Sequence, residues 1–158
     1  MKSFLQFLRV LVLGAWVGAI IYFAAVVTQG AFAVLSSRDE AGLLVGFTLG
    51  GLHLMGVSSA AVFVAASVAL TKSLRAFVEP AVLGVILMAA LTIASQDYVI
   101  PRMAVLRSQM GSVDATLASD PRRAEFDKLH GVSVDIEGGV LIIGLISLFL
   151  AVRRESGA

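Results

Sequence analysis

Residues 41–71 read AGLLVGFTLGGLHLMGVSSAAVFVAASVALT, a run without Asp, Glu, Lys or Arg that carries one imidazole, His53. An α-helix rising 1.5 Å per residue needs roughly 20 apolar residues to cross a hydrocarbon layer of about 30 Å, and this run exceeds that length. In lipid the backbone amides have no water to bond, so the segment must satisfy them internally as a helix. Working outward, three further uncharged runs obey the same rule: Val10–Ser37 before it, and Pro80–Gln96 and Gly138–Val152 after it. The expected fold is all-α, an integral membrane four-helix bundle of up-and-down topology, with spans near 8–30, 43–70, 79–98 and 131–152.

Composition argues the same way without reference to any boundary. Hydrophobic residues make up 58%, charged residues 15% and the mean hydropathy is +0.94, too apolar for an ordinary water-soluble domain. A length of 158 residues allows one compact bundle, read here as a single domain. The net charge of +1, with basic residues scattered near span ends, gives no electrostatic case for nucleic acid as a partner. With no cysteine, disulfides, thiolate catalysis and thiolate metal sites are excluded. Lys2 and Arg9 ahead of an apolar run, with Ala31-Phe32-Ala33 behind it, imitate a secretory signal, but the run is too long for one and the helix is expected to stay.

Charge placement sets the expected orientation. Lys2, Arg9, Lys72, Arg75, Arg153 and Arg154 mark the amino terminus, the second connection and the carboxyl terminus as cytoplasmic, opposed only by Glu79 and Glu155. Arg38, Asp39 and Glu40 in the first connection, and the acidic third connection with Asp114, Asp120, Glu125 and Asp127, belong outside. Met103, Leu106 and Met110 recur at helical spacing, and Asp120-Pro121 reads as an N-cap followed by the first helical residue. Helices three and four should therefore extend beyond the membrane as an external hairpin over about 100–130, turning near Gly111–Ser119. Pro101 should kink helix three, because it cannot donate to the Asp97 carbonyl.

Small residues mark expected packing faces, since close backbone approach supplies much of helix association in lipid. Gly14, Gly18 and Ala25 line one face of helix one, with Trp16 and Tyr22 flanking it. On helix two, Gly46, Gly56, Ala60 and Ser67 share the azimuth of His53 and turn its ring toward the bundle. His53 sits about 15 Å along the helix from Leu43, near mid-bilayer, where ionisable groups are costly and often functional. Its candidate partners are Ser58, Ser59, Thr92, Ser95 or a backbone carbonyl. A second polar group, Asp97 and Arg102 on helix three with His130, Ser133, Asp135 and Glu137 on helix four, gathers near the outer boundary. It reads as an interfacial network reaching Arg38, Arg102 or Arg107, or as a shallow cation site or proton entrance. For a metal or haem, His53 and His130 differ in depth by roughly 10–15 Å, whereas Met88 lies near the level of His53; His53 and Met88 are the candidate ligands for haem or copper.

The motifs Trp16-Val17-Gly18, then Phe32, Leu35, Arg38, Ala41-Gly42 and Leu52-His53, then Pro101-Arg102, Leu106-Arg107, Phe126, Leu129-His130 and Ser133, resemble in order and spacing the uncharacterised four-helix membrane proteins typified by transmembrane protein 205, domain of unknown function family 4149. That resemblance implies an integral membrane protein without an assigned activity and transfers no catalytic residues. More remotely, the bundle and His53 are similar to copper-resistance D proteins and J-type protoporphyrinogen oxidases, which implies a histidine handling copper or haem. No Ser-His-Asp arrangement, metalloprotease motif, phosphate loop or dinucleotide fingerprint is present, so an enzyme is not the expected reading.

Three functions are consistent with these residues. The first is a ligand-binding or accessory-subunit bundle in a bacterial cytoplasmic (inner) membrane, with a polar site at His53 and the outer cluster, and with lipid and possible further membrane subunits as partners. The second is a haem- or copper-binding redox protein, and the third a small ion or proton transporter.

Overall fold

The computed structural model describes residues 1–156, with side chains through residue 153. Four long helices carry the chain: α1 (Lys2–Val34), α2 (Arg38–Thr71), α3 (Pro80–Met110) and α4 (Pro121–Arg153). Among the described residues there is no strand. Each helix contains a window long and apolar enough to cross a membrane, and only 22–28% of each window is buried inside the protein. The outward face is correspondingly apolar, with Phe47 82% and Leu54 72% exposed, which suits a lipid bilayer.

Local chemistry explains where the helices stop. Ser37 caps α2, its hydroxyl accepting the Glu40 N–H at 3.1 Å. Lys72 ends α2 in the left-handed conformation (φ 49°), and a 3₁₀ turn over Leu74–Val78 leads to Pro80 at the first position of α3. Gly111, at φ +74°, ends α3, a conformation that glycine adopts without a Cβ penalty. Asp120 accepts the Arg122 N–H at 2.8 Å as α4 begins at Pro121.

At Pro101 the helical hydrogen bonding changes register. A π-helical turn spans Ser95–Val99, and the Ile100 N–H donates to the Ser95 carbonyl, five residues back. The wider turn sits where proline removes an ordinary helical donor, and α3 continues through it to Met110.

The helices close into a ring in which α1 packs on α2, α2 on α3, α3 on α4, and α4 back on α1. Leu13, Trp16, Phe63, Val82, Val85, Met88 and Val140 fill its centre. Helix one corrects the glycine-face expectation: Gly18 and Ala25 are exposed, and a Cβ on Gly14 or Gly18 would meet nothing within 4 Å. Its inward face is Leu13, Trp16, Val17 and Ile20 instead. Tyr22 is 60% exposed, whereas the Trp16 indole is buried at the position where a Cβ on Gly56 would stand. The small residue needed for close approach is thus on α2, opposite a large one on α1. Gly144 plays the same part on α4, with Met88 Cε and Val17 Cγ2 each 2.8 Å from its would-be Cβ.

Beyond the main core, α3 and α4 carry a second cluster of Leu106, Val113 and Phe126, with Met103, Met110 and Leu129 around it. This lobe is tied to the start of α2. Asp39 accepts from Ser112 Oγ at 2.5 Å and from the Val113 N–H at 3.0 Å. The Arg107 guanidinium lies over the Phe126 ring at 5.4 Å and presses against Gly42.

Candidate functional site

Among the described residues, two contacts between ionisable side chains lie inside the bundle, and each joins helices that stand diagonally across the ring. At one end, Arg9 of α1 donates to Glu79, the residue preceding α3, at 2.6 Å, with both side chains nearly sealed from solvent at 4% and 6% exposure. The guanidinium also lies 4.8 Å over the Phe63 ring, a cation–π contact strengthened by exclusion of water.

The second contact is centred on His53 of α2, which is 3% exposed. Its Nε2 lies 2.6 Å from Glu137 Oε1 on α4, and its Nδ1 lies 2.8 Å from Gln96 Oε1 in the π-helical turn of α3. One ring therefore links three helices. With oxygen facing both nitrogens, an imidazolium donates to both neighbours, or a neutral ring donates from Nδ1 to Gln96 while a protonated Glu137 donates to Nε2. Turning the Gln96 amide gives the remaining arrangement, in which its N–H donates to Nδ1 and Nε2–H donates to the Glu137 carboxylate. These arrangements differ by one proton and by an amide rotation, with little heavy-atom movement.

The imidazole also borders an opening. A cleft of about 300 Å³ between α2 and α3 is lined by Gly50, His53, Leu54, Thr92, Gln96 and Asp97, together with Val57 and Ile93. Asp97 is exposed beside it, while Glu137 holds the other edge of the ring.

Several residues lie elsewhere than sequence reasoning placed them. Glu137 was grouped with the outer cluster but reaches the level of His53, because it lies seven residues beyond His130, about 10 Å along α4. Ser133 is buried, whereas His130, Arg102 and Asp135 are exposed, and among the described residues no hydrogen bond or ion pair joins them into one network. Arg102 instead borders a separate cleft with Pro101, Val105 and Glu125. The expected partners do not bond His53: Ser58 Oγ donates to its own helix at the Leu54 carbonyl, and Ser95 is fully buried with no hydrogen-bond partner for its hydroxyl among the described residues. Met88 is packed at Gly144 and Val17, and no group of three or more His, Cys, Asp or Glu side chains gathers among the described residues.

Gln96 and the Arg9–Glu79 pair were not singled out from sequence. The available signals were position: Gln96 ends an apolar run one residue before Asp97, and Arg9 and Glu79 abut the apolar runs that begin at Val10 and Pro80.

The DUF4149 sequence profile, described as a domain of unknown function, matches residues 11–112, more than half of the chain. The chain belongs to the DUF4149 family. The part matched to DUF4149 holds His53, Gln96 and Glu79, while Arg9 and Glu137 lie outside it. No curated protein and no solved structure matches the chain.

Proposed function

We propose that this DUF4149 protein is a membrane ligand-binding bundle whose site is the His53–Gln96–Glu137 cluster, reached from the lipid side through the cleft between α2 and α3. One observation carries the reading: a buried imidazole, held by side chains from two other helices, forms part of the wall of an open cleft. A purely structural hydrogen bond needs no opening beside it. Here the side of the ring and the Gln96 amide are presented to whatever enters, while Glu137 tunes the ring from behind.

The topology that accompanies this reading places both termini in the cytoplasm, the extended ends of α3 and α4 outside as a hairpin over about 100–130, and the protein in a bacterial cytoplasmic membrane. The basic second connection and acidic third connection support that orientation. The ordered motifs from Trp16-Val17-Gly18 to Ser133 support kinship with the transmembrane protein 205 group. An accessory-subunit role is compatible with the same site.

The test is native mass spectrometry of the full chain released from nanodiscs. The wild type should retain a small-molecule adduct that His53→Ala and Gln96→Leu both lose while remaining folded by circular dichroism. Equal adducts on all three proteins, or none on any, would remove the site. Because the chain has no cysteine, single cysteines placed at Ser3, Ser73 and Ala115 give a clean labelling test of topology; labelling of Ser3→Cys and Ala115→Cys from the same side contradicts it.

A further inference from the structure

The His53 cleft does not end at His53. Val57 and Ile93 border it and also border a second, larger groove of about 850 Å³ between α2 and α3, so the two adjoin. The larger groove is walled by Ala61, Val64, Ala65, Ala69 and Ala90, and Phe77 from the turn that precedes α3 also lines it. Every residue lining it is apolar. The composite slot is therefore asymmetric, with an imidazole, a carboxamide and a carboxylate at one end, and alanines and an aromatic ring along the rest.

We infer that this slot holds a single-chain, neutral, lipid-soluble molecule whose carbonyl- or hydroxyl-bearing head meets His53 and Gln96 and whose prenyl or alkyl tail lies along the alanines toward Phe77. This deepens the proposed ligand site and rests on it. Length fits: from His53 to Ala69 is about 24 Å along α2, which takes a tail of several isoprene units or a long alkyl chain. The surroundings select the head. Exposed Asp97 on the same cleft disfavours an anionic head, and the wholly apolar lining of the adjoining groove disfavours a charged one, so the head is uncharged. The donors and acceptors select its chemistry: an imidazole N–H and a carboxamide bond a carbonyl or hydroxyl oxygen, as in a quinone or a long-chain alcohol. A packed helix from another protein matches the slot less well, because it has no reason to be polar at one end only.

The experiment uses the full chain in nanodiscs of neutral phospholipid, titrated with decylubiquinone and, separately, with farnesol, with tryptophan emission and thermal shift as readouts. The variants are Ala65→Phe, which fills the tail groove from an exposed position, Gln96→Leu at the head, and Ile146→Phe on the exposed face of α4 as control. Binding of either probe supports the inference, and the preferred probe names the head as carbonyl or hydroxyl. Ala65→Phe and Gln96→Leu should each raise Kd at least tenfold, with Ile146→Phe unchanged. If Gln96→Leu weakens binding but Ala65→Phe does not, the tail groove is refuted and the ligand site stands. If neither variant matters, or neither probe binds, both fall. If Ala65→Phe converts an oligomer to a monomer by native mass spectrometry, the groove is a helix-docking surface and the lipid assignment is overturned.

Discussion

The two buried charge pairs solve one geometric problem with different chemistry. Helices that are neighbours in the ring hold together by apolar packing, but α1 does not flank α3, nor α2 flank α4. Arg9–Glu79 spans the first diagonal and His53–Glu137 the second. Arginine cannot shed its charge; its pair is stacked on Phe63 and nearly out of reach of solvent, although Glu79 also lines a cleft of about 600 Å³ with Arg75 and Arg153. Histidine can gain or lose its proton, and its pair too borders a cleft. The difference teaches that position across the bundle gives both pairs a bracing role, while the capacity for reversible charge separates a brace from a site.

The comparison breaks most visibly at the sealed pair. Arg9→Met removes the guanidinium partner of a nearly buried carboxylate and should cost about 3–5 kcal/mol, read as a lowered midpoint in detergent unfolding. Arg9→Met combined with Glu79→Leu should recover most of that loss, because a buried ion pair is often replaceable by well-packed apolar groups. Failure of the double variant to recover would mean that the charge itself is required.

At the open pair, His53→Leu should cost less, about 1–3 kcal/mol, since Gln96 and the partly exposed Glu137 can reach other donors or water. Its larger consequence is loss of the retained ligand. A cost equal to that of Arg9→Met, with ligand retention unchanged, would erase the distinction between brace and site. Close to this pair, Gly56→Ala drives a methyl into the Trp16 ring and should cost about 1–3 kcal/mol by overpacking, with the α1–α2 seam loosening first in hydrogen exchange.

The smallest effect lies in the turn between α3 and α4, away from both pairs. The Arg122 side chain and its backbone N–H hold the Asp120 carboxyl down at about 2, below its usual 3.8. A depressed carboxyl stabilises the fold above its unfolded value and loses that contribution as pH falls through the folded value. Acidification from about pH 4 to about pH 2 should therefore speed exchange at residues 111–123, an acid response that Asp120→Ala abolishes.

The four helices were legible from sequence because charge-free runs of that length have few other solutions, and the turn near 111–120 was legible from Gly111 and Asp120-Pro121. The inward azimuth given to His53 matches its burial, since Gly56, Ala60 and Ser67 on the same face are buried with it. The face of α1 was not legible: glycines suggest close approach, but the close approach was satisfied by Gly56 receiving Trp16, and spacing within one helix does not reveal what the neighbour supplies. The partners of His53 were hidden for a related reason. Sharing a face on one helix grouped Glu137 with His130, but seven residues carry it about 10 Å along α4, the depth difference already expected between the two histidines. Gln96 was obscured because the π-helical turn alters the azimuth that a regular helix assigns to it.

Trp16 is the sole indole in the chain and lies against Gly56, one helical turn from His53. The protein consequently carries a built-in optical gauge: under excitation that spares its two tyrosines, ultraviolet emission reports a single seam, and a molecule settling beside the imidazole should change the light from that one ring.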